Sequence, residues 1–141
     1  MTYTSVNPAS FSEVIATLPL TSAAEVVENA RIAHDAQRGW AAVPAPARGR
    51  VIAQVGRLVE ANKEALATLV AREIGKVYAE ALGEVQEVID TCDFFLGEGR
   101  RMYGQTIPSE MPDKQLFTFR NPVGAVMIIT AAIFPAAVPS W

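Results

Sequence analysis

The chain has 141 residues, half of them hydrophobic and 19% charged, with a formal net charge of −3. This is the composition of one modest globular domain or a piece of a larger one, and it argues against intrinsic disorder. With no basic excess, neither nucleic acid nor an anionic membrane is an expected partner.

The single cysteine, Cys92, excludes a disulfide framework within the chain and suits a reducing cytoplasm. The single histidine, His34, excludes a multi-histidine metal site. Met1 to Ser10 has neither the basic run nor the apolar core of a signal peptide, so none is expected. Charge stops at Arg120: Asn121 to Trp141 is uncharged throughout. Pro122, Pro135 and Pro139, with Gly124, suit a membrane-spanning helix poorly, so no membrane span is expected there.

In chain order, Glu13 to Leu20 reads as a short strand that Pro19 ends. Ser22 and Glu25 have the spacing of a capping box. A helix follows to about Arg38, with Gly39 as its stop and His34 partly exposed upon it. Val43-Pro-Ala-Pro46 breaks the chain and enters the next helix. Val51, Val55, Leu58, Val59, Leu66, Leu69, Val70 and Ile74 recur at three- and four-residue steps. They predict two consecutive helices, broken at Asn62 as a cap and closed by Gly75.

Tyr78, Leu82, Val85, Ile89, Cys92 and Leu96 predict a further helix to about Met102. Cys92 on this stripe reads as a buried structural thiol. Glu80, Glu84, Glu87 and Asp90 read as its solvated side. Gln105 to Pro108 and Gln115 to Arg120 predict a hairpin with a polar loop. Asn121 to Gly124 is a turn, and Ala125 to Thr130 (AVMIIT) reads as a strand buried on both faces. Ala131 to Ala137 is the loop after it, and Pro139 to Trp141 the entry to another helix. The fold class is therefore α/β.

Several runs, in this order, resemble the N-terminal portion of the aldehyde dehydrogenase superfamily. They are Glu73-Ile-Gly-Lys76, Glu80 to Val85, Arg120 to Gly124, Ile128 to Thr130, Phe134-Pro135 and Pro139 to Trp141. The wording around Cys92 is similar to the aminoadipate-semialdehyde dehydrogenase branch. The resemblance implies a helix-rich N-terminal segment, an oligomerisation-type hairpin near residues 105–120, and the first strand of an incomplete Rossmann-type sheet. It implies NAD or NADP as cofactor, with Ile129, Thr130, Ala131 and Ala132 as the stretch that contacts it. It also implies an aldehyde substrate, attacked by a cysteine to form a thioester that a glutamate-activated water hydrolyses.

Two departures qualify the expected activity. The family's nucleophilic cysteine and general-base glutamate fall beyond residue 141, so no residue here is assigned a catalytic role and the isolated chain is expected to be inactive. The family also has an asparagine before Phe-Pro whose N–H helps stabilise the oxyanion. Ile133 stands at that position and has no donor. The alternative expectation is a non-catalytic interaction fragment, pairing with itself or with a full-length relative.

Overall fold

The structure is a computed structural model describing residues 1–141. It opens with an antiparallel hairpin of β1 (Thr2–Asn7) and β2 (Ser10–Pro19). Asn7 makes the turn: its side-chain carbonyl accepts from the Ala9 N–H at 2.9 Å. The second strand was expected and ends at Pro19 as the sequence suggests. The first was not, although Thr2-Tyr-Thr-Ser-Val6 is rich in strand-forming types.

Four long helices follow: α1 (Ala23–Ala42), α2 (Ala45–Ala61), α3 (Lys63–Ile74) and α4 (Tyr78–Glu98). The capping box at α1 is complete. Ser22 Oγ accepts from the Glu25 N–H at 3.2 Å, and Glu25 Oε2 accepts from the Ser22 N–H at 2.7 Å. Gly39 does not stop α1. The helix runs on until Pro44 constrains the residue before it. Asn62 does separate α2 from α3, but as the end of the former: its side-chain N–H donates back to the Leu58 carbonyl at 2.8 Å. The fourth helix closes at Gly99, short of Met102.

α4 carries the packing. Against α3 it buries Ala67, Val70, Ala81 and Val85. Its contact with α2 runs along small residues: Gly49, Ala53 and Gly56 are the buried positions of α2. A Cβ on Gly56 would lie 2.8 Å from Cys92 Cβ, and one on Gly49 would lie 3.1 Å from the Leu96 carbonyl oxygen. The expected inward face, Val51, Val55 and Leu58, is instead about half exposed. The periodicity located the helix correctly, but the small residues decide which side α4 approaches. Gly56→Val should therefore destabilise the chain by about 1–3 kcal/mol through overpacking. Gly83→Ala, with nothing within 4 Å of its Cβ, should stabilise it by about 0.5–1 kcal/mol. Urea unfolding monitored by circular dichroism measures both.

The predicted second hairpin is present as β3 (Thr106–Ile107) and β4 (Leu116–Phe117), two residues each. The run 125–130 forms no strand: residues 121–133 make no backbone–backbone hydrogen bond and are all exposed. A doubly buried strand needs neighbours on its edges, and the four strands of this chain pair only with one another. A short helix, α5 (Ala137–Ser140), follows. No helix is long and apolar enough to cross a membrane.

Candidate functional site

Gly75 closes α3 in the left-handed conformation, at φ 70°, and its N–H donates to the Ala71 carbonyl at 2.9 Å. The space a Cβ would take is filled by the Pro8 ring, at 2.9 Å. This turn releases Lys76 towards α4.

There Lys76 Nζ donates to Glu84 Oε2 at 2.6 Å. It also lies 3.9 Å from the centroid of the Phe134 ring, within cation–π range. The other carboxylate oxygen, Glu84 Oε1, accepts from the N–H of Ala136 at 2.8 Å and of Ala137 at 3.2 Å. Glu84 is thus spoken for on both oxygens, and its side chain is 1% exposed. Burial pushes its carboxyl pKa up, but the Lys76 ammonium and the two amides outweigh burial and hold it below the ordinary value.

The reading of Glu84 as part of a solvated face is therefore corrected. It falls three residues after Ala81 and four before Val88, both buried, which puts it on the packed side of α4. That spacing was legible, but its acidic neighbours obscured it.

The start of this assembly is fastened by α3. Ser5 Oγ donates to Glu73 Oε1 at 2.6 Å, and Arg72 Nε donates to Glu13 Oε1 at 2.7 Å. The polar residues around Glu73-Ile-Gly-Lys76 thus tie the N-terminal hairpin to α3, while Lys76 and Glu84 tie α3 and α4 to the chain at 134–137. A cavity of about 560 Å³ lies on the hairpin side of that turn, with Leu18, Leu66, Val70, Pro135 and Ala136 among its walls.

Ile129, Thr130, Ala131 and Ala132 lie together just ahead of this anchor, all exposed, and Ile133 follows them, also exposed. Cys92 is buried against α2. Burial, then the nearby Asp93 charge, raises its thiol pKa, which opposes thiolate chemistry. His34 is exposed on α1.

A helical scaffold presenting such a loop is the N-terminal part of the fold used by aldehyde dehydrogenases. The family model for the aldehyde dehydrogenase family matches residues 1–141. The chain belongs to that family. It is 43% identical over 137 residues to aldehyde dehydrogenase family 7 member A1 of Pisum sativum, covering 97% of this chain and 27% of that protein. It is also 43% identical over 130 residues to alpha-aminoadipic semialdehyde dehydrogenase of Bos taurus, covering 92% and 24%. The structure of 3,6-anhydro-L-galactose dehydrogenase in complex with NAP superposes with a TM-score of 0.90 at 31% identity, over 99% of this chain and 29% of that one. The chain thus spans about a quarter of the length of these relatives.

Proposed function

We propose that residues 1–141 form the N-terminal, partial cofactor-binding domain of an NAD- or NADP-dependent enzyme oxidising an aldehyde to a carboxylic acid. The observation that carries this is the anchored turn at 134–137, built from the residues of the family resemblance, with Ile129 to Ala132 presented beside it. Hydride acceptance is the chemistry a bound nicotinamide supplies.

Residues 129–132 are uncharged, exposed and free of backbone–backbone hydrogen bonds, so they suit contact with the cofactor's uncharged parts. From 121 to 141 no charged side chain is available to its phosphates, which other groups would have to hold. Ile133 offers no N–H to a developing oxyanion. Since no catalytic cysteine or glutamate is assigned here, the chain alone is inactive. Its place is the cytoplasm, where Cys92 stays reduced. Purified chain with an aldehyde and NAD+ or NADP+ should show no absorbance rise at the reduced-nicotinamide band. A reproducible, aldehyde-dependent rise would overturn this.

A second reading, an interaction fragment that pairs with itself or a full-length relative, is favoured by the half-exposed stripe of Val51, Val55 and Leu58 and by the 105–120 hairpin. Light scattering after size exclusion tests it, and a clean monomer that does not bind the relative counts against it.

A further inference from the structure

We propose that Lys76 and Glu84 are positioning residues for the stretch Ile129 to Ala132. The role assigned to that stretch rests on the reading above. The tether itself does not.

Every residue from Phe117 to Ile133 is exposed, and after the Thr118 N–H bond to the Gln105 carbonyl at 2.9 Å the next backbone–backbone hydrogen bond is accepted by Phe134. Between those points the chain has no ladder to fix it. Its placement at the far end falls to Phe134, Ala136 and Ala137, and each of these is held by the same buried pair: the ring by the Lys76 ammonium, the two amides by the Glu84 carboxylate. Ala136 also packs against the cluster of Ala67, Val70, Ala81 and Val85, and Ala137 is fully buried, but the polar restraints that reach 134–137 from other elements are those of Lys76 and Glu84. Pro135 stiffens the link between ring and amides. Only Ile133 separates Ala132 from the anchor. A displacement of Phe134 therefore passes directly into 129–132.

Amide exchange and chemical shifts of the full 141-residue chain, followed by NMR, test this. In Lys76→Met and in Glu84→Gln, exchange at Ala136 and Ala137 should rise at least about tenfold, and the amides of Ile129 to Ala132 should shift. Any loss of protection at Ala53, Val85 and Val88 should match the variant's loss of global stability and stay below the loss at 136 and 137. Gly56→Val serves as the control for destabilisation elsewhere and should leave the 129–132 shifts in place. The double variant Glu84→Gln/Lys76→Met, which has no unpaired charge, should recover part of the protection that Lys76→Met loses.

Unchanged exchange at 136 and 137 would overturn the proposal. So would faster exchange there without any shift at 129–132, or the same 129–132 shifts in Gly56→Val. Whether NAD+ contacts 129–132 is read separately, and failure there would remove the cofactor role while leaving this amide pattern intact.

Discussion

Grafting residues 1–141 onto a full-length relative, in place of its matching N-terminal stretch, should yield a slow dehydrogenase. Ile133→Asn in that chimera should raise kcat by about 10²–10³. A tetrahedral oxyanion draws its stabilisation from pre-placed donors, and losing one costs about 2.7–4 kcal/mol of barrier. Isoleucine has no side-chain donor to offer at this position. Steady-state assays with saturating cofactor measure the effect. The gain should appear in kcat more than in KM for the aldehyde, because the interaction forms in the transition state. An Ile133→Asn chimera no faster than its parent would mean that this position does not face the oxyanion.

Lys76→Met should be the most destabilising substitution of the buried pair. Removing one partner of such a pair typically costs about 3–5 kcal/mol because the remaining charge is left uncompensated. Here the low end applies: Lys76 is 12% exposed, and water reaches Glu84 once the turn at 134–137 lets go. The sign of the pH dependence follows from the carboxyl. In the unmodified chain Glu84 sits below its ordinary value, so its stabilisation is complete above about pH 4.3 and fades as pH falls through the lowered value. In Lys76→Met burial is no longer outweighed by the ammonium. The carboxyl pKa then rises, and release of the turn moves to higher pH. Urea unfolding across about pH 2 to 7 tests both statements. A Lys76→Met chain as stable as the parent at pH 7 would show that the pair is not coupled to folding.

The helices were legible because their apolar residues repeat at helical spacing. The capping box at Ser22 and the stop at Gly75 were legible because each meets a backbone need that few residue types meet. What α2 packs with was not. Val51, Val55 and Leu58 announce a helix, but Gly49, Ala53 and Gly56 let α4 approach closely, and small residues leave little trace in a hydrophobic pattern. Glu84 was misread for a related reason: an acid among acids looks solvated until a cation and two amides from distant sequence converge on it. The AVMIIT run has the composition of a central strand, yet a ladder is a property of partners, and none of the other strands here reaches it. Ile129 to Ile133 were picked out by resemblance alone. Their physical context, an unladdered stretch ending at a buried ion pair, belongs to the fold.

The central claim is that residues 129–132 meet a nicotinamide dinucleotide at the edge of this tethered turn. Hydrogen exchange of the chimera, with and without saturating NAD+ or NADP+, tests it most directly. Cofactor should slow exchange at Ile129 to Ala132 while the α2 and α4 amides stay as they were. Equal exchange at 129–132 in a chimera that demonstrably binds the cofactor would contradict it.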